Sequence, residues 1–289
     1  MPEDCTPEQL TADRLIDRLG DLPAAPVVLS KALRLTSNLQ SNTKDLVRSL
    51  SADQSLSAKV VRLSNSPLYA RMRAVLSLDE AIRVLGFSQL KSIIITASTF
   101  RMFEKCEHAQ IATDLWHHSL STAIGARLVA RKSGQVDKEE AYLAGLLHDI
   151  GKLVLLKLAP NAYEDIIEKV KSTEQPFMSV EFHELGFSHI DVGESLLTKW
   201  QFPSQIIAGV ADHHRVILSQ RPSSLQLSRI VRLADSISRY IGTSFYEPYK
   251  NDLENTVYVG PKELTVDELI SLRCEAESQY LDELNHVHQ

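Results

Sequence analysis

Ala144-Gly-Leu-Leu-His-Asp-Ile-Gly-Lys-Leu-Val-Leu-Leu156 is an apolar run into which an adjacent His148–Asp149 pair and Lys152 are set. The run predicts one buried helix, interrupted by three polar side chains. Burying an imidazole and a carboxylate costs on the order of several kcal/mol unless a partner compensates. Two compensators fit these residues. One is a salt bridge from Asp149 to Lys152, one turn on. The other is a divalent metal ion. The run itself leaves both open.

Outward from this segment the chain reads as helical nearly throughout, so the expected fold class is all-α. Ser77-Leu-Asp-Glu80, Asp137-Lys-Glu-Glu140 and Thr265-Val-Asp-Glu268 each set a capping oxygen three residues before a glutamate, which marks a helix start. Thr6-Pro7 fits an N-cap followed by proline in the first turn. Gly20, Asn65-Ser-Pro67, Gly134, Pro160, Pro203 and Gly242 interrupt apolar patterns and predict stops. Between them the spacing is helical, as in Leu46, Leu50, Leu56, Val60 and Leu63, or Ile230, Val231, Ala234, Ile237 and Ile241. Ser92-Ile-Ile-Ile-Thr96 continues the pattern of Phe87 and Leu90 and is read as buried helix. Asn255-Thr-Val-Tyr-Val-Gly260 is the best candidate for a short extended piece.

The 289 residues suffice for one large domain or two modest ones. With 31 basic and 37 acidic residues the net charge is -6, which argues against a strongly basic nucleic-acid surface. Arg71-Met-Arg73 and Arg127 with Arg131-Lys132 are read as solvated faces, and no nucleic-acid partner is expected. Cys5, Cys106 and Cys274 lie far apart with no CxxC, which excludes a cysteine-built zinc finger and fits a reducing compartment. Met1-Pro-Glu-Asp-Cys-Thr-Pro-Glu-Gln-Leu10 lacks an apolar core of a signal peptide, and no apolar run is long enough for a membrane span. A cytoplasmic protein without membrane contact is expected.

All ten histidines lie at or beyond His108. This shift places a boundary in Phe103–Gln110, dividing the chain into an N-terminal helical subdomain (1–105), a histidine-bearing helical subdomain (106–242) and a C-terminal extension (243–289). In the last helix Leu269, Leu272, Ala276 and Tyr280 share a face, which predicts packing on the body or on a partner. Phe177, Phe182 and Phe187 are read as core.

Other polar residues enter as possible co-ligands of His148 and Asp149. Trp116-His-His-Ser119 sits on a predicted helix, Ser188-His189 starts one, Asp212-His213-His214 ends one, and Asp235 lies mid-helix in an apolar stretch. Asp212 is a candidate to orient the neighbouring imidazole. Any of these alone is an ordinary core or surface residue. Together, histidines and carboxylates form the donor set used for Mn, Fe, Mg or Zn, and ligands scattered in sequence are typical of sites built between facing helices.

Leu22-Pro-Ala-Ala-Pro26, Asp53-Gln-Ser-Leu-Ser-Ala-Lys-Val-Val-Arg-Leu-Ser-Asn-Ser66, Ala81-Ile-Arg-Val-Leu-Gly86 and Gly145-Leu-Leu-His-Asp-Ile-Gly-Lys152 resemble the signature runs of the HDOD family, HD-related output domains of bacterial signalling proteins. The resemblance covers roughly residues 15 to 240. It implies an N-terminal helical part followed by a bundle similar to the HD-domain phosphohydrolases. By similarity to the HD-GYP phosphodiesterases, it implies metal ligands at His118 (with His117 competing for the position), His148, Asp149, His189, His213, His214 and Asp235. Asp149 is the implied bridging carboxylate, and Lys152 the lysine that approaches substrate phosphate. One ion would be held by His118, His148, Asp149 and Asp235, and a second by Asp149, His189 and His213 or His214, with Fe, Mn or Zn as the metal. The chain departs from HD-GYP proteins after His214, where Arg215-Val-Ile-Leu-Ser-Gln-Arg-Pro222 replaces the Gly-Tyr-Pro element. The family implies a regulatory module that acts on a separate signalling partner and binds metal or a nucleotide. The alternative it implies is a metal-dependent phosphohydrolase or phosphodiesterase that attacks a nucleotide or cyclic nucleotide through a bridging hydroxide, with Asp149 and Lys152 catalytic. An inert helical scaffold is the third reading.

Overall fold

Helices begin where the capping residues predict. Ser77 Oγ accepts the Glu80 N–H at 3.2 Å, and Asp137 Oδ1 accepts the N–H groups of Glu139 and Glu140 at 2.9 and 3.0 Å. Thr265 and Glu268 cap each other reciprocally at 3.0 and 3.2 Å. A computed structural model describes residues 27–34, 47–48, 50–69, 74–104, 106–214, 222–246, 258–259 and 262–287. The expectations for Thr6-Pro7, Gly20, Leu46, Arg71-Met-Arg73 and the segment after His214 lie outside these residues, as do Leu22–Pro26.

In chain order the elements are α1 (Val27–Arg34), α2 (Gln54–Ser64), a 3-10 turn (Pro67–Tyr69), α3 (Leu78–Leu85), α4 (Phe87–Glu104), α5 (Ala109–Ser133), α6 (Lys138–Leu147) and α7 (Ile150–Leu158). They continue with α8 (Pro160–Thr173), α9 (Phe177–Leu185), α10 (His189–Lys199), α11 (Ser204–Ala211) and α12 (Pro222–Tyr240). A small hairpin of β1 (Tyr258–Val259) and β2 (Lys262–Glu263) precedes α13 (Val266–Val287). The helical fold class is as expected. The Asn255–Gly260 piece contributes β1, and the antiparallel pairing with β2 is a finding of the structure.

Two apolar cores result. The smaller joins α2, α3 and one face of α4 through Leu56, Val60, Ala81, Leu85, Ile93 and Ile94. The larger is built on α5, the long central helix, against which α6, α12 and α13 pack. Helix α4 serves both: Ile93 and Ile94 enter the first core, and Ile95, Met102 and Phe103 the second. Burial on every side explains why its sequence lacks an amphipathic stripe. The α13 face of Leu269, Leu272, Ala276 and Tyr280 packs into the larger core of the same chain.

Three local expectations need correction. The run 144–156 is not one helix, because α6 ends at Leu147 and α7 begins at Ile150. Asp149, at φ -105° and ψ 15°, takes the bridge conformation in between. An apolar run enclosed on all sides carries no periodicity from which such a corner could be read. Arg127 is buried rather than solvated. Its guanidinium donates to Glu139 at 2.8 Å and Tyr69 Oη at 3.1 Å, and lies 4.1 Å from the Tyr142 ring centroid. Its neighbours Arg131 and Lys132 are exposed and pair with α13 glutamates. Phe177 and Phe187 are core, whereas Phe182 is 61% exposed.

Candidate metal centre

Two glycines of the opening segment set the approach of the helices that meet here. A Cβ on Gly145 would stand 2.9 Å from the Ala123 Cα and the Thr122 carbonyl oxygen of α5. A Cβ on Gly151 would fall inside the His189 carbonyl group of α10. Only glycine lets α6 lie on α5, and α7 on α10, at these spacings. The α6–α7 corner presents His148 and Asp149 between them, facing His118 of α5, His189 at the start of α10, His213 just beyond α11 and Asp235 of α12.

Each histidine is held from behind. His148 Nδ1 donates to the Gly145 carbonyl at 2.7 Å, and His213 Nδ1 to the Val210 carbonyl at 2.5 Å. His118 Nδ1 lies 3.0 Å from the Thr243 carbonyl and 3.1 Å from Ser238 Oγ. His189 Nδ1 meets Glu181 Oε2 at 2.6 Å. Carbonyls and carboxylates only accept hydrogen bonds, so in the neutral rings the proton sits on Nδ1 and the Nε2 lone pair points forward.

Those lone pairs converge. His118 Nε2 and His148 Nε2 are 3.2 Å apart. His118 Nε2 is 3.5 Å from Asp149 Oδ2 and 3.3 Å from Asp235 Oδ1. Asp149 Oδ1 is 3.3 Å from His189 Nε2 and 3.9 Å from His213 Nε2. Within the described residues the donor atoms form two groups, each spanning no more than 4.8 Å: Asp149, His189, His213 and His214 in one, and His118, His148 and Asp235 in the other. Asp149 lies between the two through its separate oxygens.

Lys152 Nζ does pair with Asp149 Oδ2 at 2.8 Å. The ion pair leaves Asp149 Oδ1, His189 Nε2 and His213 Nε2 buried with no hydrogen-bond partner. Three orphaned acceptors, and two imidazole lone pairs facing each other, are an unfavourable set for a dry interior. A divalent cation fits them, since every atom concerned is an oxygen or nitrogen donor of the kind Fe, Mn and Zn accept.

The electrostatics agree. Burial pushes the His148 imidazole down to about 4 and that of His213 down to about 3, so both are neutral near pH 7. Burial alone would raise the Asp149 carboxyl, but His148, Lys152 and His189 hold it well below the usual range. Asp235 is likewise held low against burial, chiefly by Arg239 and His118.

His117, the competing candidate for the α5 ligand, faces elsewhere and shares a hydrogen bond with Tyr280 Oη at 3.0 Å. His214 is half-buried, its ring 4.1 Å from that of His213. Asp212 is the C-cap position of α11, and the Val210 carbonyl orients His213 instead. Glu181 was not singled out in the sequence. It is fully buried and accepts from the His189 N–H at 2.9 Å and from Tyr163 Oη at 2.9 Å. Its only signal is its place eight residues before His189, in a helix whose other acid, Glu184, is an ordinary surface residue.

A short segment after α12 closes the centre. Phe245 is 2% exposed and stacks on Phe177 with centroids 5.5 Å apart. Lys152 Nζ lies 4.4 Å from the Phe177 ring centroid and 5.5 Å from that of Phe245. Arg239 clamps Asp235 through two hydrogen bonds. A small cleft bounded by Lys152, His214, Arg239, Ser244 and Phe245 borders the donors.

Comparison with known proteins places the fold. An HDOD domain protein from Geobacter sulfurreducens superposes with a TM-score of 0.71 at 24% identity, over 96% of this chain and 91% of its own. A Shewanella amazonensis protein named as a candidate phosphohydrolase gives 0.75 at 23% identity, over 94% and 97%. At such identities the likeness is one of fold. An uncharacterized protein of Treponema pallidum is 23% identical over 206 residues, 71% of this chain and 40% of its own length. Ribonuclease Y of Bacillus subtilis is 30% identical over 121 residues, 42% of this chain and 17% of its own. The chain thus spans less than half the length of these curated relatives. The HDOD domain matches residues 22–216, two-thirds of the chain, and the protein belongs to the HDOD family.

Proposed function

We propose that this protein is a bacterial signal-transduction module whose HD-type centre binds one or two divalent metal ions and acts through a protein partner. His118, His148 and Asp235 would hold one ion, and His189, His213 and half-buried His214 the other, with Asp149 shared. The observation that carries metal binding is the pair of facing Nε2 atoms of His118 and His148, 3.2 Å apart, beside three orphaned acceptors. The observation that favours regulation over turnover is closure of the centre. Lys152 is 2% exposed, committed to Asp149, and walled by Phe177 and Phe245, so a phosphate ester meets aromatic rings before it meets the lysine. The histidine-free N-terminal layer is the surface offered to the partner.

The test of metal binding is elemental analysis of protein purified without chelators, together with thermal melting before and after chelation. One or two equivalents of Fe, Mn or Zn and a lower melting temperature after chelation are expected. Metal-free protein that added metal leaves unchanged would refute it.

A second reading is supported by the names of two relatives, a candidate phosphohydrolase and ribonuclease Y. In it the centre hydrolyses a phosphodiester of a nucleotide, cyclic nucleotide or RNA. A bound cation supplies Lewis acidity toward phosphate oxygens and water. Lys152 would steady the nonbridging oxygens, which requires Phe245 to move aside. Phe245→Ala discriminates the readings. If the segment merely gates an enzyme, the variant turns over a generic phosphodiester such as bis-p-nitrophenyl phosphate faster than the parent protein does, and Asp149→Ala abolishes that turnover. For a regulatory centre, both remain silent.

A further inference from the structure

The residues that follow α12 run along α5 and touch three positions of one helix face. Asp114, His118 and Ser121 are spaced by four and by three, so their side chains form a single stripe. Thr243 meets two of them. Its carbonyl oxygen lies 3.0 Å from His118 Nδ1, and its Oγ1 lies 2.6 Å from Ser121 Oγ. Tyr246 meets the third, donating from Oη to Asp114 Oδ2 at 2.5 Å. Between the two, Phe245 is buried against Phe177, and with Ser244 it borders the cleft that leads to Lys152, His118 and Asp235.

The two ends of this strap are held in different ways. Thr243 is tied back to its own helix, since its N–H and its hydroxyl both donate to the Ser238 carbonyl, at 3.1 and 2.8 Å. Tyr246 is held to the body by side chains, Asp114 of α5 and Lys171 of α8, whose Nζ lies 4.3 Å from the ring centroid. The Tyr246 backbone sits at φ 55°, in the left-handed region. A bulky residue takes that conformation only where its surroundings impose it. Its holders keep other partners: Asp114 Oδ1 accepts from Gln110 at 2.8 Å, and Lys171 pairs with Glu168 at 2.8 Å. Departure of Tyr246 therefore relaxes a strained backbone and leaves neither charge alone.

We propose that Ser244–Tyr246 is a releasable strap over the histidine cluster, hinged at the anchored Thr243 and latched by the Tyr246–Asp114 hydrogen bond. Latched, it keeps Phe245 on the Phe177 ring and the cleft shut. Released, it lifts Phe245 away and opens the cleft beside Lys152 to solvent. Thr243 stays in place, so His118 keeps the carbonyl that orients its ring. Access to the cluster is thus set by a contact on α5 one turn before His118. The strap stands whether or not the histidines bind metal.

The test is the rate at which diethyl pyrocarbonate modifies His118 in the full, chelator-treated chain, so that no metal enters the result. The reagent attacks imidazole nitrogens that solvent reaches, and tandem mass spectrometry separates His118 from its neighbour His117. His118 is 3% exposed, so its modification reports opening. A local opening exposes little surface, and its rate is nearly independent of denaturant well below the unfolding transition, whereas global unfolding gives a steep dependence. The expected result is a denaturant-insensitive rate in the parent protein. Tyr246→Phe, which removes only the latching hydroxyl, should raise that rate by about tenfold or more, the usual worth of a hydrogen bond to a charged group. Asp114→Ala should raise it similarly, and the double variant should be no faster than either single one, because both remove the same contact. A rate that climbs steeply with denaturant throughout, an unchanged rate in Tyr246→Phe, or two factors that multiply in the double variant would each overturn the proposal.

Discussion

Glu181 shows how much of the centre depends on a residue that is not itself a candidate ligand. It fixes the His189 ring by accepting from both the ring Nδ1 and the backbone N–H of the same residue. Glu181→Gln keeps the shape but weakens the acceptor. It should lower metal affinity by ~10–100-fold, measured by competition with a chromophoric chelator, while His118 and His148 still bind. A proton competes at the same atoms. An unfolded imidazole titrates near 6.5, and in the folded chain burial lowers His148 to about 4 and His213 to about 3. Between 6.5 and about 4 the unfolded chain takes up protons that the folded chain refuses. Stability of the metal-free protein therefore falls as the pH drops through that window. Asp149 and Asp235, held low by their cationic neighbours, contribute further loss only in more acidic solution. Melting temperatures of chelated protein against pH check this, and His148→Gln should flatten the upper part of the curve. At this scale His148, Asp149 and Lys152 were legible because charge in an apolar run demands compensation. Glu181 and Arg127 were not. Each has charged neighbours in sequence that do face solvent, and only the packing separates the buried member from the exposed ones.

Among the glycines, the tightest approach is at Gly151, where α7 meets α10. Gly151→Ala would force the two helices apart and carry His189 away from Asp149. The expected cost is ~1–3 kcal/mol, the usual range for overpacking, and denaturant unfolding measures it. Loss of the metal in the same variant would show that helix spacing sets the ligand geometry. The Arg127–Glu139 pair ties α5 to α6 and, through Tyr69, to the smaller core. Arg127→Met should destabilise by ~3–5 kcal/mol, since it strands a buried carboxylate. Adding Glu139→Gln should recover part of the loss, which a double-mutant cycle quantifies. Helix starts were the most legible elements, because Ser77, Asp137 and Thr265 carry their own hydrogen-bond logic. The corner at Asp149 was hidden because residues on both sides of it are buried on all faces. The two-residue strand pairing was half visible, since so short a hairpin has little periodicity to show.

Over the whole molecule, the proposed metal binding would couple to folding. An ion that binds only the folded chain stabilises it by ~2.7 kcal/mol at a hundredfold excess over its dissociation constant. Supplementing chelated protein with Mn or Zn should raise the melting temperature by several degrees, and the rise should vanish in Asp149→Ala. The resemblance to HDOD proteins conveyed the family from residues scattered over most of the chain.

The donors also differ in where they sit on their helices. His118 and Asp235 are mid-helix, whereas His148 caps the end of α6, Asp149 the start of α7, His189 opens α10 and His213 follows the end of α11. Chain ends of helices are the last parts to settle and the first to fray. A cluster assembled from four such ends is expected to be complete only after the barrier to folding has been crossed. Bound metal should then leave the refolding rate nearly unchanged and act almost wholly by lengthening the lifetime of the native state, a division that the two arms of a chevron plot resolve.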